Sequence, residues 1–276
     1  MILFPNAKIN IGLQVTSRRA DGYHDLDTVF YPIPLCDALE VVASPDADAP
    51  DCTLHLLGAP LQGNPDDNLV VKAVRLLRSE GYRFPAVDIW LTKHIPSGAG
   101  LGGGSSDAAF TLVLLNSLFT LGISDDRLEE LAARLGADCA VFVRNRPVYA
   151  TGIGNIFTPL ALDLIGYTLV VVKPDIFVST REAFQGVTPC PPEVTLLHKV
   201  TLPVEEWRGT ITNDFEDSIF PLHPALGDIK QRLYDQGAVY ASMSGSGSAL
   251  FALFAPDADV PDAATFPGCF FFEARL

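Results

Sequence analysis

Cysteine is scarce in this chain and shows no pairing pattern. Five cysteines (Cys36, Cys52, Cys139, Cys190 and Cys269) occur in 276 residues, an odd number with no C-x-x-C. That argues against a disulfide framework and against a zinc site. It suits reduced thiols, so a cytoplasmic location is expected. Basic residues are few beside acidic ones: 19 Lys and Arg against 33 Asp and Glu, for a net charge of −14. A field of that sign repels nucleic acid and anionic membrane surfaces, and neither is expected as a partner. A phosphate-bearing ligand would have to be drawn by local lysines and backbone N–H groups. No apolar run reaches the roughly 18 residues of a membrane span. The opening "MILFPNAKIN" has neither a basic n-region nor a long apolar h-region, so no signal peptide is expected. No long polar tract suggests disorder.

What the chain does have is apolar content, 48% of its residues, enough for a sizeable core in one large domain or two modest ones. "AKINIGLQV" (7–15) alternates as a strand does, and "LDTVFYPIPL" and "DALEVVAS" read as strands around a turn at Cys36–Asp37. Residues 67–81 carry apolar positions at helical spacing, and 86–95 alternate again. Residues 105–122 read as a helix apolar on most faces, therefore buried. Residues 124–136 read as an amphipathic helix capped by Ser124, with Gly136 past its end. Further on, 167–174 is a strand and 223–237 a helix with proline in its first turn. "AVYASM" and "SALFALF" are strands around "SGSGS", while 188–212, rich in Pro and Thr, resists assignment. Strands and helices mix without a βαβ rhythm, so the fold class is α+β, with a weak boundary at 150–165.

Residues 98–104 hold five glycines in seven positions, directly after the 86–95 strand and before the 105–122 helix. Glycines let a backbone approach phosphate oxygens, and a helix N-terminus adds free N–H groups and positive potential. The plain alternative is a flexible connection, which rarely needs so many glycines. A P-loop needs lysine after its last glycine, and here Ser105 follows Gly104. A Rossmann turn needs an acidic residue at the end of a second strand about 20 positions on, where this chain reads as helix. Protein-kinase signatures are missing.

"PSGAGLGGGSSDAA" resembles the ATP loop of the GHMP kinases, the superfamily of galactokinase, homoserine kinase and mevalonate kinase. "PNAKINIGLQV" and "SMSGSGSALFALF" resemble that superfamily's other two motifs, in order and across most of the chain. Within it, "RADGYHDLDTVF" (19–30), "DNLVVKA" (67–73), "LGADCAVFV" (135–143) and "TNDFED" (212–217) resemble one branch. Its members phosphorylate the 2-hydroxyl of a cytidine diphosphate-linked methylerythritol in non-mevalonate isoprenoid precursor synthesis. Asn6 departs from the branch, which commonly has proline before Ala-Lys; a local turn difference is expected there. A homoserine or sugar kinase of the same superfamily is the nearest alternative. A nucleotide sensor without catalysis and a nicotinamide oxidoreductase are more distant ones.

The resemblance implies a two-domain fold, 1–155 and 156–276, with the active site in the cleft between domains. It implies ATP, with Mg²⁺, held by Pro96, Ser97, Gly98, Ala99, Gly100, Leu101, Gly102, Gly103, Gly104, Ser105 and Ser106. Ser105 and Ser106 would open the helix aimed at the phosphates. Asp138 reads equally well as a helix N-cap or as a base; the resemblance favours the carboxylate that takes the hydroxyl proton. Lys8, inward on an apolar strand, needs a partner, and the resemblance puts it beside Asp138 and the transferring phosphate. Asn10 shares the face of Lys8 and would hydrogen-bond substrate. His24 would read the edge of cytosine, Tyr23 would stack on its ring, and Phe184 is either a second stacking ring or ordinary core. Ser244, Gly245, Ser246 and Gly247 form a hairpin turn or, as the third motif, support the phosphate loop. Asp107 suits a helix dipole yet repels phosphate; it either faces away or sits near Mg²⁺.

Overall fold

The computed structural model describes residues 1–45, 50–58 and 64–276. The chain runs β1 (Ile2–Leu3), β2 (Asn6–Arg18), β3 (His24–Cys36), β4 (Ala38–Ala43), β5 (Cys52–Gly58), α1 (Leu69–Ser79), β6 (Val87–Lys93), α2 (Gly103–Leu118), α3 (Asp125–Leu135), α4 (Val141–Arg144) and β7 (Val148–Thr151). It continues with β8 (Ile156–Pro159), β9 (Thr168–Lys173), α5 (Thr180–Gln185), α6 (Leu196–Lys199), α7 (Phe215–Ile219), α8 (Pro224–Asp235), β10 (Tyr240–Met243), β11 (Leu250–Phe254) and β12 (Phe270–Arg275). These segments form two compact units. The first comprises 1–7, 35–97 and 102–146, and the second 8–34, 98–101 and 147–276. The division is thus not one cut in the chain, and both residues flanking the expected cut at 155 lie in the second unit.

The first unit carries a four-stranded sheet in the order β1-β4-β6-β5. Strand β5 runs parallel to β6, with Leu54 opposite Ile89, and the other pairs are antiparallel. In β6 the alternation "VDIWLTK" puts Val87, Ile89, Leu91 and also Lys93 on the buried side. Period two therefore forces a lysine into the core, and the site below depends on it. Helix α1 is capped by Asn68, whose side chain accepts from the Val70 N–H at 2.9 Å, and it buries Val70, Val71, Ala73, Val74 and Leu77. Each of those valine and leucine side chains contributes roughly 1.5–3 kcal/mol on burial. Ser124 caps α3, accepting from Arg127 N–H at 3.3 Å, as its position in the sequence suggests.

Helix α2 starts earlier than its serines suggest. It begins at Gly103, with Gly102 as a cap held at φ +71° and no side-chain cap. Ser105 and Ser106 therefore lie within the first turn and do not open the helix. Its far end is Leu118, short of Gly122, because Thr120 takes a left-handed φ of +51° and Asn116 hydrogen-bonds both backbone groups of Ile123.

The second unit contains the sheets β2-β3-β7-β8 and β10-β11-β9-β12. Val15, Val170, Val172, Phe215, Ile219, Leu233, Met243, Leu250 and Phe254 belong to one apolar core there. The unassigned 188–212 region holds α6 and a short 3-10 turn, and it leads to a parallel bridge between Leu13 and Asn213. Strands β1, β5, β7, β8 and β12 are additional to those expected from alternation.

Candidate active site

In the second unit, residues 98–101 of the glycine loop pack against the third glycine motif by backbone contact. Gly100 has φ +79°, and a Cβ there would stand 1.9 Å from the Ser244 carbonyl oxygen. A Cβ on Gly247 would reach 2.1 Å from the Ala99 carbonyl carbon. No side chain fits at either position. Hydrogen bonds close the contact: Ala249 N–H donates to Ala99 O at 3.1 Å and Ser244 Oγ to Gly100 O at 3.0 Å. Ser244, Gly245 and Gly247 are buried, while Ser246 is half-buried and donates to Thr180 Oγ1 at 3.3 Å.

Strand β2 brings Lys8 and Asn10 to the same loop. Lys8 is 3% exposed, and its ammonium donates to Asn10 Oδ1 at 2.6 Å and Gly100 O at 3.1 Å. The Phe30 ring lies 4.9 Å from the same nitrogen. Asn10 is fixed in turn: its Nδ2 donates to Thr28 Oγ1 at 2.9 Å, and its own N–H donates to Ser244 Oγ at 3.3 Å. The amide thus spends both polar atoms on protein partners, with one further donor and one further acceptor left.

"RADGYH" forms the turn between β2 and β3. Asp21 Oδ1 accepts from Tyr23 N–H at 3.1 Å, Arg19 pairs with Asp21 at 3.0 Å, and Arg19 N–H closes onto Tyr23 O at 2.8 Å. The Tyr23 ring is left exposed. His24 stacks on Phe184 with ring centroids 4.7 Å apart and planes at 19°. Phe184 also meets Phe215 edge-on at 4.8 Å, so it serves as core and as aromatic wall together.

Residues 68–146 match the GHMP kinases N terminal domain and residues 204–271 the GHMP kinases C terminal domain. The chain is 56% identical to the 4-diphosphocytidyl-2-C-methyl-D-erythritol kinase of Bacteroides thetaiotaomicron, over the whole of both chains. It belongs to the GHMP kinases, in the 4-diphosphocytidyl-2-C-methyl-D-erythritol kinase family. A crystal structure of 4-(cytidine 5'-diphospho)-2C-methyl-D-erythritol kinase superposes with a TM-score of 0.80 at 34% identity, covering 99% of this chain and 98% of that one. Homoserine kinase from Cytophaga hutchinsonii shares the fold, with a TM-score of 0.64 at 17% identity over 98% of this chain and 94% of its own.

The first unit of this GHMP kinase carries the rest of the motif residues. Pro96 and Ser97 follow β6, and Gly102–Ser106 begin α2. Asp138 lies half-buried in the turn between α3 and α4. It does not cap α4, whose N-cap is Ala140. The turn is seated on the start of α2: a Cβ on Gly136 would lie 3.2 Å from the buried Cys139 Sγ and 4.0 Å from Ser105 Oγ. Burial pushes that thiol up to about 11.

Beneath the start of α2 lies a buried charge cluster that sequence reasoning missed. Lys93 Nζ donates to Asp107 Oδ2 at 2.6 Å and to Asp37 Oδ2. Asp37 Oδ1 also accepts from the N–H groups of His94 at 2.5 Å and Ile95 at 2.9 Å. All three side chains are almost fully buried. Two carboxylates on one ammonium leave a surplus negative charge. Burial, reinforced by Asp37 and opposed by Lys93, lifts the Asp107 carboxyl above the usual carboxylate range. Asp107 thus faces Lys93. Alternation in β6 is a signal that could have found Lys93, but nothing local points to Asp37, 56 residues away.

"TNDFED" also has a structural role that was not singled out by residue. Asn213 Nδ2 donates to Met243 O at 2.8 Å and Gly245 O at 2.9 Å, and its Oδ1 accepts from Phe215 N–H. Glu216 accepts from Met243 N–H at 2.7 Å and pairs with Lys230. The segment fixes the strand end and turn on which the third glycine motif sits. Asn6, where a turn difference was expected, begins β2 instead. It is tied to Asn145, whose Nδ2 donates to its Oδ1 at 2.7 Å.

Proposed function

We infer that the chain is an ATP-dependent kinase that phosphorylates the 2-hydroxyl of 4-diphosphocytidyl-2-C-methyl-D-erythritol. The observation that carries this reading is the ordered aromatic and hairpin arrangement of "RADGYH" with Phe184, in a chain 56% identical to a kinase of that name. In this reading the His24–Phe184 stack walls a pyrimidine subsite and Tyr23 closes it from the solvent side. The residues 96–106 hold the ATP phosphates through backbone N–H groups, with 98–101 supported by 244–247. Asp138 accepts the proton of the 2-hydroxyl as its oxygen forms a bond to the γ-phosphorus. The bond from that phosphorus to the β–γ bridging oxygen breaks, and ADP leaves. Lys8 supplies a fixed positive charge beside the transferring group, oriented by Asn10 and Gly100.

Mg²⁺, when bound, neutralises charge on the β- and γ-phosphates. Among the described residues no group of three or more His, Cys, Asp or Glu side chains could hold an ion. The Ser106 hydroxyl is fully buried without a hydrogen-bond partner, and it fits as a protein oxygen toward a metal carried mainly by the nucleotide. Five free thiols fit work in the cytoplasm. Among the described residues no helix is long and apolar enough to cross a membrane.

The test is ADP release, coupled to NADH oxidation, with the cytidine diphosphate-linked acceptor and with homoserine. Turnover with the first, competitively inhibited by CMP, is expected. Turnover only with homoserine or a sugar overturns the reading.

A further inference from the structure

The segment after β9 carries a large aromatic side chain with no place in the roles above. Phe177 is 72% exposed, whereas its neighbours Ile176 and Val178 turn into the apolar core. Extended chain alternates its side chains, so burying Val178 drives Phe177 to the opposite face. The segment is held firmly in that position. Ser248, fully buried, donates its Oγ to Ile176 O at 2.6 Å, and Ser246 bonds Thr180 just beyond. The ring therefore stands on a rigid support tied to the third glycine motif.

On that side the ring meets the glycine loop. A Cβ on Gly98 would meet Phe177 ring carbons at 3.0 and 3.1 Å, so the ring lies directly over the Gly98 Cα. Two residues on, at Gly100, the loop carbonyl takes the Lys8 ammonium. Two residues span less than about 7.6 Å, so the ring and the ammonium are on neighbouring points of the same loop. Seven residues after Phe177, Phe184 stacks on His24. An aromatic face held beside that loop can bury an apolar group of a ligand bound there.

We propose that Phe177 is a specificity-determining residue that packs on the methyl-bearing carbon of the acceptor. The inference rests on the function proposed above. The acceptor is polar almost throughout, and its branching methyl sits on the carbon that bears the reacting hydroxyl. In the proposed reaction that carbon comes up to the γ-phosphate on the loop whose Gly98 meets the ring and whose Gly100 carbonyl takes the Lys8 ammonium. The ring excludes water from the methyl and fixes which way the tertiary hydroxyl faces.

The test compares kcat/KM for the natural acceptor and its analogue lacking the 2-C-methyl group, in the wild type, Phe177→Leu and Phe177→Ala. One methyl in an apolar contact is worth on the order of ten-fold or more in kcat/KM. The wild type should prefer the methylated acceptor by that factor, Phe177→Leu should retain most of the preference, and Phe177→Ala should bring it near unity. KM for ATP, measured in the same assays, should stay within about two-fold. If Phe177→Ala lowers both acceptors equally, the ring serves only to cover Gly98 and the proposal is overturned while the function stands. If the wild type does not turn over either cytidine acceptor, the function itself fails, and this inference with it.

Discussion

The carbonyl oxygen of Ser244 lies where a Cβ on Gly100 would have to be, at 1.9 Å from it. The two glycine motifs, 144 residues apart in sequence, are therefore one backbone construction. Gly100→Ala is expected to force them apart. Gly100 is also at φ +79°, so alanine pays a conformational cost of about 1–2 kcal/mol besides the clash. The expected outcome is a lower melting temperature together with loss of measurable ATP binding by calorimetry. A variant with wild-type Tm and ATP affinity would show that the interlock is dispensable.

Gly104 provides the contrast on the same loop. It lies inside the first turn of α2, and nothing lies within 4 Å of the Cβ it lacks. Alanine there should stabilise the helix by about 0.5–1 kcal/mol, since glycine is the poorer helix former. A raised Tm with KM for ATP increased several-fold is expected, because the added methyl would crowd a phosphate at the helix N-terminus. Unchanged KM would move the phosphates away from Gly104.

Asp138 sits in a turn closed by the Cys139 N–H donating to Gly136 O at 3.1 Å, and it does not cap a helix. Asp138→Asn keeps the shape and removes the base. General-base catalysis contributes roughly 10²–10⁴-fold, so kcat should fall by about that factor. ATP affinity should remain within a few-fold of wild type. A kcat within three-fold of wild type would take Asp138 out of the reaction.

Much of this was legible in the sequence, for physical reasons that differ by element. The glycine motifs stand out because close backbone contact tolerates no side chain, so composition records the contact. Ser124 and the 125–135 helix are legible because capping and amphipathic spacing are local. The start of α2 is not, because a left-handed Gly102 begins the helix where a side-chain cap was expected. Strand β12 (FFFEAR) escapes because its half-buried residues do not alternate cleanly. Lys93 with Asp37 and Asp107 escapes because the cluster is assembled by strand pairing and helix docking across distant residues. Phe177 is invisible without the structure, since one exposed ring in a loop has no pattern.

The Lys93 cluster gives the sharpest stability prediction, because its two kinds of disruption differ in sign of charge. Lys93→Met leaves Asp37 and Asp107 buried together without a cation, and breaking a buried pair in this way costs about 3–5 kcal/mol. Asp107→Asn instead leaves a neutral Lys93–Asp37 pair, and the amide oxygen can still accept from Lys93. It should be nearly neutral at neutral pH. The pH dependence separates them further. Folding raises the Asp107 carboxyl pKa, so the native state keeps a proton that the unfolded chain has already released. Below the ordinary carboxylate value, about 3.9, both states are protonated and the group costs nothing. As pH climbs from there through the raised native value, the unfolded state gains charge first and stability falls. Urea denaturation between pH 4 and 8 should show that fall in the wild type and a flatter profile in Asp107→Asn. Parallel profiles would mean that Asp107 is ionised throughout, with Lys93 alone compensating both carboxylates.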